Sequence, residues 1–331
     1  MSRSETRARG SSTSSHGFAD TMAGLCHFLF DRVPQGLDIV PPRPRKENPF
    51  RKDGMTLVSK VKVEQDLRAS VIKAVELIGG LGKVISSGDR VMVKPNFNSP
   101  DPYPGSSDLG FLKVVIQFLQ EAGVKVVIGE SSGGIWRPTR RVMEKLDALR
   151  QLTDIGAEVI AFDDRRWDWV KVRVDGDYRK EVTVPRSVYE ADKIVYLPCM
   201  KTHQLARFSL SLKLAVGYVH PGERRSMHMG NLERKIAEFN LALQPDLIIM
   251  DGRKAFISGG PAKGELVEPG VIMASGDQIA IDVEALKILG SYKGKNRLLP
   301  NPYDSPQIEI ALRHGLGSKD YKVVPEGSDR L

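Results

Sequence analysis

Two cysteines in 331 residues are too few for a disulfide framework. Cys26 and Cys199 lie far apart and form no CxxC pair, so a reducing cytoplasm is the expected compartment. No apolar run reaches the roughly 18 residues that a membrane-spanning helix needs, so no membrane partner is expected. The one apolar patch near the N-terminus, MAGLCHFLF, is short and contains His27. It lacks a small-residue cleavage site, which speaks against a secretory signal. Neither a P-loop nor a GxGxxG turn follows any strand-like run, so no nucleotide fingerprint is present. The histidines show no HxxxH spacing, which removes the commonest zinc signature. No recognised nucleic-acid module occurs either.

What is present is an ordinary globular composition, 41% hydrophobic and 27% charged, in a chain long enough for two domains or one large one. The formal net charge is +8, and its placement matters more than its size. Residues 192–235 hold eight basic side chains against three acidic ones, together with His203, His220 and His228. Such a surplus suits either an anionic partner or a solvated basic face. Residues 1–56 run from a Ser/Thr-rich start into the basic, Pro-rich stretch PPRPRKENPFRKDG. They are expected to be a flexible extension without a fold of their own.

Beyond that point strands and helices alternate. RVMVKP (90–95) and the β-branched run VKVVIGE (124–130) read as strands covered on both faces. DLGFLKVVIQFLQEAG (108–123) reads as a helix with Asp108 as its N-cap. VKVRVDGDYRKEVTVP (170–185) reads as a hairpin around Asp-Gly. KIVYL (193–197), DLIIMDG (246–252) and VIMAS (271–275) supply further strands. The last leads into a helix over 276–289, with Ser275 and Gln278 at capping-box spacing. The alternation predicts an α/β fold, with two lobes (57–200 and 201–331), largely parallel sheets and a central cleft.

Open α/β sheets bind ligands beyond the carboxyl ends of their strands, so the loops there supply the candidate site residues. After 90–95 come Lys94, Asn96 and Asn98; after 124–130 come Glu130, Ser131 and Ser132 before two glycines. After 193–197, Pro198 is expected to end pairing and to leave Lys201, Thr202 and His203 on a loop. In RFSLSLKLAVG a strand or a helix fits equally, and both leave Lys213 inside an apolar segment. That ammonium must reach water, pair with a carboxylate or lose its proton. His220, Arg224, Arg225 and His228 follow. Lys94, Asn96, Lys213, Arg224 and Arg225 are the expected anion binders, and Lys201, His203, His220 and His228 the expected proton carriers. Asp282, on a helix apolar nearly all round, needs a cap or an arginine as partner.

Several of these segments, in order, resemble the family known as domain of unknown function 362: MVKPN (92–96), DKIVYLPCMKTH (192–203), SLKLAVG (211–217), the stretch from His220 to His228, IIMDG (248–252), GGPAKGE (259–265) and ASGDQIAIDVEALKILG (274–290). The resemblance implies a two-part α/β protein with Lys201, His203, Lys213, Asp251, Gly264, Asp277 and Asp282 at recurrent positions. It implies no reaction. Many members carry a ferredoxin-like cysteine cluster, which two cysteines cannot supply, so no intrinsic iron–sulfur cluster is expected. A remoter likeness, to lactate-racemase-type proteins, suggests by analogy alone a metal or nickel-containing cofactor held near histidines and lysines.

The leading expectation is an enzyme that acts on a small carboxylate or phosphate by His/Lys acid–base chemistry, isomerisation included. His203 is its expected general acid or base. A metal- or cofactor-dependent redox protein, served by an iron–sulfur electron-transfer partner, is the second reading. A nucleic-acid binder is the third, disfavoured because the basic surplus sits between strands rather than along one helix.

Overall fold

The computed structural model describes Cys26, residues 30–164 and residues 168–327. Its strands are β1 (Ile39–Val40), β2 (Arg51–Lys52), β3 (Met55–Lys62), β4 (Arg90–Lys94), β5 (Lys125–Glu130), β6 (Glu158–Ala161), β7 (Trp169–Arg173), β8 (Glu181–Pro185), β9 (Lys193–Tyr196), β10 (Cys199–His203), β11 (Arg207–Ser209), β12 (Leu247–Gly259), β13 (Gly264–Val267), β14 (Val271–Ser275) and β15 (Tyr321–Pro325). Twelve of them form one mixed sheet with the main path β15-β3-β14-β12-β9-β4-β5-β6, while β1, β7 and β8 form a small second sheet. From β12 through β9, β4 and β5 to β6 every pairing is parallel. β14 runs antiparallel to both β12 and β3.

Alternate residues of the central strands serve two cores. Met92 of β4 packs on one face, Val91 and Val93 on the other; Ile194 and Tyr196 of β9 face away from Val195; Ile248 and Met250 of β12 face away from Leu247 and Ile249. Burial on both faces is why these strands read as continuous apolar runs. The helices that cover them start where a carboxylate meets the first free N–H groups. Asp66 caps Leu67–Glu76 and Asp108 caps Leu109–Glu121. The helix Gln278–Ser291 is capped by Asp277 rather than through the Ser275–Gln278 pair expected from spacing. Ser275 still belongs to β14, and its hydroxyl donates to Leu57 O at 2.9 Å.

A further correction concerns residues 199–203. Pro198 was expected to leave Lys201, Thr202 and His203 on a loop, but pairing resumes at once as β10. Lys201 pairs with Phe256 of β12 on one side and with Ser209 of β11 on the other, after a bulge between Cys199 and Met200. The register with β12 is kept across the proline, Tyr196 opposite Ile248 and Cys199 opposite Asp251, and the bulge then shifts it so that Met200 lies opposite Ala255. RFSLSLKLAVG turns out to be both of its readings in sequence: β11 and then the helix Ser211–Leu214.

β10 also crosses the 200/201 boundary drawn between the expected lobes, and β3 lies between β14 and β15, so both segments share the large sheet. Of the expected extension, residues 31–56 run along this structure. β1 pairs with β7 and β2 with β3. Arg43 donates to Val188 O at 3.2 Å and Arg45 to His314 O at 2.6 Å. Phe50 is fully buried in the core beside β3. Residues 1–25 and 27–29 lie outside the described residues. No helix among the described residues is long and apolar enough to cross a membrane.

Phe50 gives the connector a measurable share in the fold. Phe50→Ala is expected to lower stability by about 3–5 kcal/mol, read as a reduced urea midpoint at unchanged slope. A loss below about 0.5 kcal/mol would mean that residues 31–56 contribute nothing to the core.

Candidate functional site

β4, β5, β9 and β12 run parallel, so their carboxyl ends share one edge of the sheet. β4 ends at Lys94 and β5 at Glu130, and these buried side chains meet at 2.6 Å. Glu130 also accepts from Phe97 N at 2.9 Å and Ser131 N at 2.7 Å, and Lys94 donates to Pro95 O at 2.7 Å. Burial pulls the Lys94 pKa down, and Glu130 opposes that pull. Gly217 makes room for the pair: a Cβ there would sit 2.3 Å from Glu130 Oε1 and 2.5 Å from Lys94 Nζ.

Three further cations surround this pair. Lys201, buried on β10, donates its ammonium to Gly105 O at 2.5 Å. Desolvation lowers its pKa to about 8. Arg224 is held by carbonyls: Nε by Val219 at 2.7 Å, Nη1 by Ser131 at 2.7 Å and Ser132 at 3.0 Å, Nη2 by Gly217 at 3.2 Å. Carbonyls satisfy its donors and leave its charge uncancelled; burial lowers its pKa to about 10. Lys213 stands on the helix Ser211–Leu214, and its ammonium has no hydrogen-bond or ion-pair partner among the described residues. Desolvation, with the charges of Lys201, Arg224 and Lys94, lowers its pKa to about 8.

Asp282 explains where Lys213 stands. Its fully buried carboxylate accepts from Ser211 N at 2.8 Å and Leu212 N at 3.0 Å, which fixes the start of that helix. Burial raises its pKa to about 7, and the two N–H donors work in the opposite direction. Asp251 has a different task. It accepts from Tyr103 Oη at 2.6 Å and pairs with Arg253 at 2.7 Å, tying the loop after β4 to β12.

The cavity enclosed here measures about 40 Å³, room for a small charged group rather than a whole metabolite. Lys94, Asn96, Lys201, Lys213 and Arg224 line it, with Glu130 as the one carboxylate and with Asn98, Ser209, Gly217 and Pro261 completing the wall. Five of the nine expected site residues therefore converge. Arg225 does not; it donates to the carbonyl of Asp31 in the N-terminal connector.

The histidines take roles that spacing did not reveal. His203 Nδ1 accepts from Leu205 N at 3.1 Å and Ala206 N at 3.2 Å. A nitrogen that accepts carries no proton, so the neutral ring holds its hydrogen on Nε2. Burial and the charges of Lys213 and Lys201 lower the pKa to about 2, so His203 is a neutral donor here and a poor general base. His220 Nδ1 accepts from Gly222 N at 3.0 Å and caps the helix Pro221–Met227, with its ring edge on Trp169. Burial lowers its pKa to about 4. His228 is exposed, and burial followed by the charge of Lys213 lowers its pKa.

This wiring also tests the cofactor suggested by analogy. A ring whose Nδ1 receives backbone N–H groups can offer a metal its Nε2 only as an imidazolate, so His203 and His220 as placed do not fit a metal. Asp177, Glu238 and His314 do bring ligand atoms within 4.8 Å of one another. There, however, Glu238 already receives Asp177 N and Tyr178 N, and Asp177 pairs with Arg313. Glu130 is the residue that sequence reasoning undervalued: the charge ending an otherwise apolar strand was its signal.

A family model described as Domain of unknown function (DUF362) matches residues 91–287. The thylakoid-associated protein sll1697 of Synechocystis sp. is 30% identical over 233 residues, 67% of this chain and 70% of that protein. Among solved structures, the lactate racemase apoprotein from Thermoanaerobacterium thermosaccharolyticum is similar with a TM-score of 0.38 and 10% identity, covering 87% of each chain.

The partnerless ammonium has a signed consequence for stability. In the folded protein Lys213 stays charged only up to pH about 8, whereas the unfolded chain holds it charged up to about 10.4, so below about 8 folding carries the full cost of that buried charge. The penalty is therefore full at pH 7 and fades as pH rises from about 8 toward 10. Lys213→Met is expected to stabilise the protein by roughly 1–3 kcal/mol at pH 7 and by much less at pH 10, measured by urea unfolding without multivalent anions. An equal gain at both pH values would contradict the assignment.

Proposed function

Because the chain belongs to the family described as Domain of unknown function (DUF362), whose description leaves the reaction open, we propose its function from this pocket: an enzyme that binds the anionic head of a small carboxylate or phosphate and moves a proton with lysine amines. The observation that supports this best is the charge imbalance around the cavity, four cations against one carboxylate. Glu130 is spent on Lys94 and two backbone N–H groups. Arg224, Lys201 and Lys213 have no carboxylate among the described residues hydrogen-bonded to them, so a bound anion would balance their charge. Uncompensated buried charge is costly, and a bound anion relieves it.

Lys201 and Lys213, each with a pKa near 8, populate both protonation states near neutral pH. That is the condition under which a side chain works as acid and as base. With Lys213 kept charged by the bound carboxylate, the Lys201 amine takes a proton from the neighbouring carbon while the Lys213 ammonium returns one, which makes isomerisation the reaction class that fits. His203, whose Nδ1 accepts from Leu205 N and Ala206 N, does not line the cavity, and the reaction needs no ionisation of it. Since the cavity takes only a charged head, the rest of the ligand extends beyond it. Cys26 and Cys199 are both free thiols, which suits the cytoplasm expected from the sequence.

Calorimetric titration with oxalate and with inorganic phosphate, at constant ionic strength set with chloride, tests the binding half. Wild type is expected to bind at least one of them, with affinity falling about tenfold per pH unit once pH exceeds the lysine pKa. Lys213→Met should weaken binding at least tenfold, whereas His203→Gln should retain most of it. Binding indifferent both to pH between 7 and 9.5 and to Lys213→Met would remove the proposal. Exchange of the α-proton of 2-hydroxy acids in D2O, followed by NMR, tests the chemistry: both Lys201→Met and Lys213→Met should abolish it.

A further inference from the structure

A second cavity, of about 420 Å³, opens at the other end of the same strands. Lys193, the first residue of β9, and Asp246, just before β12, lie on its rim, whereas Lys94 and Glu130 close the far ends of β4 and β5. Its outer wall is the basic connector, with Arg43, Arg45, Lys46 and Arg51; Lys83 and Lys193 complete six cations.

The carboxylates there do not cancel this charge. Asp246 accepts from Ile194 N at 2.9 Å besides Lys46 at 3.3 Å. Asp277 is used by Ile279 N, Ala280 N and Ser318 N. Glu47 is the third acidic residue on the wall. Arg43 and Arg45 are tethered to carbonyls, of Val188 and Asp192 and of His314 and Gly315 respectively. They are held in place without losing their charge. Lys193 has no hydrogen-bond or ion-pair partner among the described residues. Leu243, Pro245, Leu316, Pro44 and Pro49 give the same cavity an apolar side. The volume falls in the roughly 300–1,000 Å³ range of small-molecule sites, about ten times that of the lysine pocket.

We propose that this cavity is a separate binding site for a small organic phosphate of about nucleotide size, its phosphate held by Arg43, Arg45 and Lys193 and its organic part laid against the prolines and Leu316. Guanidinium and ammonium groups recognise phosphate oxygens directly, and the apolar wall distinguishes an ester from the free ion. Because the connector forms one wall, an occupant links residues 43–51 to the starts of β9 and β12 and stabilises the fold by mass action.

The test titrates AMP, adenosine and sodium phosphate into the full chain at fixed ionic strength. AMP is expected to bind saturably and more tightly than either of the others. Lys193→Glu and Arg43→Gln, both half-buried, are each expected to weaken AMP at least tenfold, and Lys213→Met to leave it unchanged. The proposal is overturned if wild type shows no saturable AMP binding. It is equally overturned if adenosine or phosphate binds as tightly as AMP, if both rim variants bind like wild type, or if Lys213→Met alone abolishes binding. That last result would place AMP in the lysine pocket.

Discussion

The buried Lys94–Glu130 pair organises everything around it. A single carboxylate at the end of β5 balances one ammonium at the end of β4 and, through Phe97 N and Ser131 N, fixes the loops that follow both strands. No second carboxylate among the described residues lines the cavity to pair with Lys201, Lys213 or Arg224. Their positions are set by other means: a carbonyl of Gly105 for Lys201, four carbonyls for Arg224, and the Asp282 cap on the helix that carries Lys213. The protein spends structural bonds on keeping like charges together. Proteins retain such unfavourable arrangements at functional sites, where the cost is recovered by a ligand or a reaction.

Much of the scaffold was legible because burial on both faces writes itself plainly into a strand. VMV at 91–93 and VVI at 126–128 are strands in any reading, and Asp108 announces its helix. The convergence of Lys94, Asn96, Lys201, Lys213 and Arg224 was legible too, since the carboxyl ends of parallel strands are where an open sheet gathers its loops. Asp282 could be recognised as a carboxylate in need of a helix cap or an arginine, and the structure gives it the cap. What stayed hidden depended on single bonds between distant residues. No pattern near Pro198 shows that β12 will supply a bulge and let β10 continue. Nothing near Arg225 shows that the carbonyl of Asp31 will hold it. The connector looked unfolded by composition, yet Phe50 completes a core beside β3.

The histidines show the limit most clearly. Three imidazoles among basic residues suggest proton transfer by residue type alone. The structure gives two of them backbone N–H donors at Nδ1, from Leu205 and Ala206 for His203 and from Gly222 for His220. That choice fixes the tautomer, and burial beside cations keeps the rings neutral. In the proposed reaction proton transfer therefore falls to the lysines, whose ordinary pKa is too high for the task until desolvation and mutual repulsion lower it. Both ends of the sheet hold arginines by backbone carbonyls, Arg224 at one and Arg43 and Arg45 at the other, at very different scales: a cavity of about 40 Å³ at one end and about 420 Å³ at the other.

The most direct measurement is a titration of the lysine amines themselves, by NMR of protein labelled with 13C at lysine Cε, with Lys213→Met used to assign the resonance. The account expects Lys213 to titrate near pH 8 in the free protein and to move upward by a unit or more when oxalate is added. A resonance that titrates near 10.4, the ordinary lysine value, and that ignores the anion would contradict it.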